Sequence, residues 1–377
     1  YMRGQAEDYN SWAESTNDPS WRWENILSLW TRHEDYHGEK SDLHGKGGPW
    51  RIEKVRSNWE ILRAFKEAAI EYGIPSTSDF NTGECTGVDY FDVNQNSGWR
   101  LNTFQAFIQP IRSSRPNLHI LSEAVVDELL LSDNGEECYG ARVHGPNGSA
   151  VQDYRAAKEV ILTAGSIGSV QILERSGIGR GDVMEKAGVP MRKEIVGVGE
   201  NLQDHLQLRL AYEVDNTPTL NKRANSIFGK ALIGMEYAFS RTGPLAAAPS
   251  QMGAFLKSSE EESRPNLQYH IQPLSLPAFG MDLDDFNGFT ASVCDLRPTS
   301  RGSVHITSKD VSAHPHIAPN YLSTEKDIDV AVKSIELTRE IVGQPALQRF
   351  SPRERRPGGN KTSKDDLITA AKSIGTT

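Results

Sequence analysis

The sequence predicts an α/β unit joined to an α+β unit, and three observations lead there. A short apolar run without alternation, Glu159-Val160-Ile161-Leu162-Thr163-Ala164-Gly165, leads directly into a helical pattern. Residues 117–155 alternate between β-rich runs and turn signals. Residues 205–300 hold further β-rich runs around one helical stretch. At 377 residues the chain is long for one core, so two packed domains are expected.

Near the start, helices are predicted at 21–32 and, better marked, from Asn58 to Tyr72. In the second, Leu62, Phe65, Ala68 and Ala69 share one face and Gly73 stands at the stop position. His44-Gly45-Lys46-Gly47-Gly48-Pro49 reads as a loop. The 117–155 region reads as an antiparallel meander. Its β-rich runs are Leu118–Leu121, Ala124–Leu131, Tyr139–Gly145 and 151–154, with turns at Ser132-Asp133-Asn134-Gly135 and Pro146-Asn147-Gly148.

The run 159–163 reads as a buried strand of a parallel sheet. Ser166 would cap a helix over Ile167–Arg175 and Gly177 would end it. Strand, glycine turn, helix is the order in which α/β sheets aim backbone N–H groups at a ligand. A structural βα turn with no ligand fits the same residues.

Further on, strands are expected at Gln207–Val214, Leu267–Gln272, Thr290–Cys294 and Gly302–Ser308. Helices are expected at Ser226–Ser240 and Ile328–Val342, the latter with Val332, Ile335 and Leu337 among its apolar positions. Residues 353–359 read as loop. The chain opens at Tyr1 within what reads as an ordered segment and closes at Ser373–Thr377 with no closing helix. This reads as the internal portion of a longer protein, and the lack of a leader then carries no information.

Composition narrows the function classes. The formal net charge of −9, with no long Lys/Arg block, argues against nucleic acid as a partner. The three cysteines, Cys85, Cys138 and Cys294, form no CxxC pair, so no zinc or dithiol site is expected; buried thiols in a reducing compartment are. No apolar run approaches the roughly 20 residues that span a bilayer. A cytoplasmic location, or one peripheral to an inner membrane, is compatible with this.

Residues 165–179, Gly165-Ser166-Ile167-Gly168-Ser169-Val170-Gln171-Ile172-Leu173-Glu174-Arg175-Ser176-Gly177-Ile178-Gly179, resemble the second signature of the glucose-methanol-choline (GMC) oxidoreductases. Val170 departs from the Pro or Ser usual there. Other segments agree, in the family's order: the opening YMRGQAEDYNSW, 196–205 (VGVGENLQDH), 297–304 (RPTSRGSV) and Pro319-Asn320-Tyr321-Leu322. Residues 93–107 resemble the choline dehydrogenase-like and alcohol dehydrogenase-like bacterial members.

The resemblance implies a partial FAD-binding, Rossmann-like domain of GMC type over 1–205. That domain includes a lid-like segment near 33–56 and the meander at 117–155. A substrate domain of β-sheet plus helices would follow over 206–377. It implies FAD, with cofactor contacts at Val126, Thr163, Ala164, Gly165, Ser166 and, less directly, Asn201. Core packing alone also accounts for Val126. The family's GxGxxG phosphate turn does not occur in this sequence.

The chemistry implied is oxidation of a primary or amino alcohol to the aldehyde, with hydride passing to flavin N5 and electrons onward to a quinone, another acceptor or oxygen. The family's general-base histidine matches a position after Thr377, so none of the ten histidines here is assigned that role. Asn201, Asp204 and His205 are expected mainly to fix a crossover loop. His314 and His316 are expected to be solvated, and His44, in the lid-like loop, to be a surface residue. On this reading the chain alone is not competent. A non-catalytic GMC-derived binding protein, or one subunit of a split enzyme, is the alternative.

Overall fold

The computed structural model describes residues 1–39, 41–146, 150–278 and 280–377. The chain divides into two compact units. One comprises residues 1–116, 205–297 and 328–377; the other comprises 117–204 and 298–327.

The first unit is built on a seven-stranded sheet. From one edge its strands are Arg353–Arg356, Gln207–Glu213, Gly288–Asp295, Leu267–Gln272, Met252–Leu256 and Gly87–Tyr90, all antiparallel. Gly375–Thr376 also pairs with the 207–213 strand. Alternation sorts the two faces. Leu208, Leu210, Tyr212, Leu267, Tyr269, Ile271, Phe289, Ala291 and Val293 are all buried. Their face packs on helices: the Tyr269 ring lies 6.3 Å from Phe65, and its hydroxyl lies 2.9 Å from Oγ1 of Thr338.

Those partners come from helices at Glu60–Tyr72 and Glu325–Val342. In the first, Leu62, Phe65, Ala68 and Ala69 are fully buried, as their spacing predicts. Burying each large side chain contributes about 1.5–3 kcal/mol. Gly73 ends that helix at φ +113°, a left-handed conformation that suits glycine. A further helix, Ala6–Thr16, was not predicted because its apolar pattern is weak.

The second unit holds the antiparallel meander Val125–Leu131, Cys138–His144 and Val151–Arg155, with Gly135 at φ +68° in the first turn. The predicted second turn lies largely at 147–149, outside the described residues. Against the meander packs the helix Gly165–Arg175: Leu129, Leu131, Ile172 and Ile178 form a small core.

Several expectations are corrected. Residues 118–121 form no strand; Ile120 and Leu121 are exposed. Residues 159–163 form no strand and, among the described residues, pair with none. Val160 and Leu162 turn inward to the small core, while Ile161 is 76% exposed. A buried strand needs neighbours on both sides, and apolar content alone does not supply them. Residues 353–356, expected as loop, are a strand; Arg339 binds Glu354 through two bonds of 2.9 and 2.8 Å and holds it in place. The chain does have a late helix, Lys364–Ile374, capped by Ser363. His316 lies in a short strand, His316–Ala318, though both His314 and His316 are exposed as expected. Cys138 is exposed, whereas Cys85 and Cys294 are buried.

Candidate functional site: an open glycine turn and a polar sheet face

The glycine turn sits at the N-terminus of the 165–175 helix. Gly165 itself begins the helix, at φ +76°, and no atom lies within 4 Å of where its Cβ would be. Ser166 therefore does not cap it. The capping position is Ala164, whose side chain has no acceptor to offer the first amides of the helix. Thr163, Ala164, Gly165 and Ser166 are all exposed. An open turn without a side-chain cap, at the positive end of a helix dipole, suits close approach by a nucleotide.

Val126 is half-buried in the 125–131 strand and packs on the small core. Its carbonyl accepts from Arg175 at 3.1 Å, leaving the strand tied to the same helix. Asn201 is exposed, at φ +58°. Nearby, Leu202 and Gly302 exchange backbone hydrogen bonds of 2.9 Å each, and Asp204 accepts from the Tyr321 hydroxyl. The crossover loop is thus pinned, with Asp204 in a fixing role.

The motif glycines have reasons. At Gly199, φ is +80° and a Cβ would come within 2.3 Å of the Val304 carbonyl oxygen. In the 297–304 motif, the backbone N–H groups of Thr299 and Ser300 donate to Asp327 at 2.7 and 2.8 Å, joined by the Thr299 hydroxyl at 2.7 Å. Burial favours the neutral Asp327 carboxyl, but the donors from Ser300 and Thr299 outweigh it and hold its pKa at about 2. The ordinary value is 3.8. The carboxylate's stabilisation is therefore present above about 4 and is lost as pH falls toward 2. Asp327→Asn should lower stability at neutral pH by about 2 kcal/mol. Urea midpoints at pH 7 and pH 3 test this, and an equal deficit at both would refute it.

In the first unit, the sheet's other face is polar. Gln207, Arg209, Gln268, His270, Gln272, Thr290 and Ser292 share it by register. Arg209 donates to Gln272 at 3.3 Å, and Gln272 donates to Ser250 at 2.9 Å. Ser292 Oγ and Gln251 Oε1 are buried without a hydrogen-bond partner among the described residues. Burial pushes the His270 pKa down to about 4, with repulsion from His205 adding to it. The ring is thus neutral at pH 7, with one nitrogen able to donate and the other able to accept. A cleft of about 200 Å³ opens at Arg209 and Thr290 of this face, lined also by Arg356, Ser373 and Thr376.

Sequence reasoning did not single out His270. Its signal was there: Gln268, His270 and Gln272 alternate with Leu267, Tyr269 and Ile271 inside a strand whose partners also carry Thr290 and Ser292. His44 is not a surface residue; it is 8% exposed, with Nδ1 and Nε2 each 2.9 Å from carboxylates, those of Glu34 and Asp79.

The N-terminal region model of the GMC oxidoreductases matches residues 1–207, and the C-terminal one matches 298–377. The chain belongs to the GMC oxidoreductase family. Among curated GMC relatives, the oxygen-dependent choline dehydrogenase of Pectobacterium carotovorum is 34% identical over 369 residues, 97% of this chain and 65% of its own length. That of Paraburkholderia phytofirmans is 34% identical over 373 residues, 98% and 65%. The chain thus spans about two thirds of the length of these relatives. Among solved GMC-type structures, pyridoxine 4-oxidase from Mesorbium loti superposes with a TM-score of 0.86 at 26% identity, covering 100% of this chain and 69% of that one. An FAD-dependent oxidoreductase from Chaetomium thermophilum gives 0.88 at 22% identity, covering 100% and 72%; at that identity the likeness is one of fold.

Proposed function

We propose that this GMC chain is part of an enzyme that oxidises a primary or amino alcohol to the aldehyde with FAD. The observation that carries this is the open turn at Gly165: positive φ, an uncapped helix start and empty space in front of it, at the family's signature. In this reading Thr163, Ala164, Gly165 and Ser166 border the adenosine portion of FAD, with Val126 and Asn201 nearby. Residues 1–205 serve FAD binding and 206–377 serve the substrate. Bound FAD would supply the acceptor for the hydride on the carbinol carbon. The polar sheet face orients the alcohol, and neutral His270 offers it a hydrogen bond without competing charge.

The relatives are named for choline and for oxygen, so these are the first substrate and acceptor to test. A quinone or another acceptor is the alternative electron sink. In this reading none of the chain's own histidines is the general base, so the 377 residues alone should bind FAD weakly and turn over nothing. The test is anaerobic flavin reduction with choline and simple primary alcohols. Reduction is expected only when the chain is expressed within a longer protein carrying a GxGxxG turn and the histidine-bearing segment. In that protein, Gly165→Val should weaken FAD binding by about tenfold, roughly 1.4 kcal/mol, read by flavin fluorescence. Alcohol-dependent reduction by the isolated chain, or unaltered FAD affinity in the variant, would overturn the reading.

A further inference from the structure

A cleft of about 380 Å³ in the first unit is walled on one side by residues 55–59 and on the other by Arg223, Glu236 and residues 242–244. None of its lining residues belongs to the glycine turn or to the polar sheet face. The Gly243 N–H donates to the Arg56 carbonyl at 3.0 Å and ties the two walls together. Arg223 joins them again. Its guanidinium stands 5.3 Å from the centroid of the Trp59 ring and donates to Glu236 at 2.9 Å.

Two features say what chemistry this cleft takes. The first is a surplus of donors on one wall. Arg56 Nε, Ser57 Oγ and Trp59 Nε1 are buried with no hydrogen-bond partner among the described residues. Trp59 as a whole is only 4% exposed. Indole and guanidinium N–H groups can only donate, and a buried donor without an acceptor carries a cost that an acceptor removes. Trp59 also precedes the helix Glu60–Tyr72 and offers it no side-chain cap, so the positive end of a 13-residue helix adjoins the same wall. The second feature is charge. Among the described lining residues, two guanidinium groups, Arg56 and Arg223, face one carboxylate, Glu236. The acceptors close by are engaged: Glu236 by Arg223, Glu60 by the Thr217 hydroxyl at 3.3 Å, and the Asn58 side-chain oxygen by Arg63. A cation in this cleft meets repulsion. An oxyanion meets two positive charges and donors that lack an acceptor, and the planar guanidinium matches carboxylate and phosphoryl oxygens in pairs.

We propose that this cleft binds the carboxylate or phosphoryl group of a small molecule. Arg56, Ser57 and Trp59 supply the hydrogen bonds, and Arg223, held in place by Glu236 and the Trp59 ring, supplies the second positive charge. The proposal goes beyond alcohol oxidation and does not require bound FAD, so its test is a binding measurement on the chain itself.

That test is isothermal titration calorimetry of the 377-residue chain with sodium phosphate and, separately, sodium succinate, at an ionic strength held constant with sodium chloride. Saturable binding of at least one anion is expected, and the tighter of the two names the preferred group. Arg56→Met should weaken it by about tenfold, because it removes a charge and its donors together. Trp59→Phe keeps the ring against Arg223 and deletes only the N–H; it should weaken binding by about threefold. It also answers the question independently should the arginine variant fold poorly. Lys158→Met removes an exposed positive charge from the other unit and should leave the affinity unchanged. No saturable heat with either anion overturns the proposal. So does an affinity undiminished in Trp59→Phe, or a loss in Lys158→Met equal to that in Arg56→Met, because the attraction then belongs to the chain's charge at large.

Discussion

Glu174→Ala should destabilise the unit that carries the glycine turn by about 1–3 kcal/mol, the cost of leaving a buried hydrogen-bond donor without its acceptor. Glu174 lies in the signature helix and is fully buried. One of its oxygens accepts from Nδ1 of His305 at 2.7 Å; the other accepts the Ile306 N–H at 2.8 Å. No other acceptor is recorded for that amide among the described residues, so alanine leaves a buried donor unsatisfied as well as a hole. Whole domains are stable by only about 5–15 kcal/mol, so this is a large fraction. The effect should reach function, because the same helix begins at Gly165; its first turn is held in place from its last. Urea unfolding of parent and variant measures the loss. Glu174→Gln keeps one acceptor and should fall between them. A midpoint unchanged in the alanine variant would show that the motif's glutamate is not what anchors the helix.

That glutamate illustrates which parts of this protein are legible in its sequence. The 60–72 helix could be read because its information is local: Leu62, Phe65, Ala68 and Ala69 repeat at the helical period and Gly73 stops it. The 267–272 strand was legible for the same reason. The 353–356 strand was not. Arg353-Glu354-Arg355-Arg356 has no strand pattern of its own, and becomes one only by pairing with 207–213 and through the grip of Arg339 on Glu354. Val160-Ile161-Leu162 shows the converse error, since the apolar run described a strand without its neighbours. The candidate site divides likewise. The turn at Gly165 was readable from its motif, though its exact capping residue was not. The polar face with His270 depends on the register of strands far apart along the chain, Arg209 standing against Ser292, 83 residues later, and register is not written in either strand alone.

His44 was misread for a related reason: its partners lie far away in sequence, and together they set the second large effect. Stability should peak between roughly pH 4.5 and 6.5 and fall on both sides. Arg3, Glu34 and His44 are buried together. Arg3 binds Glu34 and donates to the carbonyls of Leu43 and Asn81 at 2.8 and 2.9 Å. His44 bridges Glu34 and Asp79, and Tyr36 stacks on its ring with centroids 3.7 Å apart. Burial alone would raise the Glu34 pKa, but His44, Tyr1 and Arg3 outweigh it and hold it below its ordinary 4.5. Asp79 is likewise held below 3.8, burial being outweighed by His44. These two stabilise above their ordinary values, and that contribution is lost as pH falls through the depressed ones. For His44 burial disfavours the charge, yet Asp79 and Glu34 prevail and lift its pKa above 6.5. Its contribution is full below 6.5 and is lost as pH rises through the raised value. Asp92 opposes the acid arm in part, because burial raises its pKa above 3.8. His44→Gln should therefore remove the alkaline slope and leave most of the acid slope. Arg3→Met should cost about 3–5 kcal/mol, since it removes the guanidinium that pairs with the buried Glu34 carboxylate. Unfolding midpoints from pH 4 to 9 decide between these outcomes. An alkaline slope that survives in the His44 variant would place its origin outside this network.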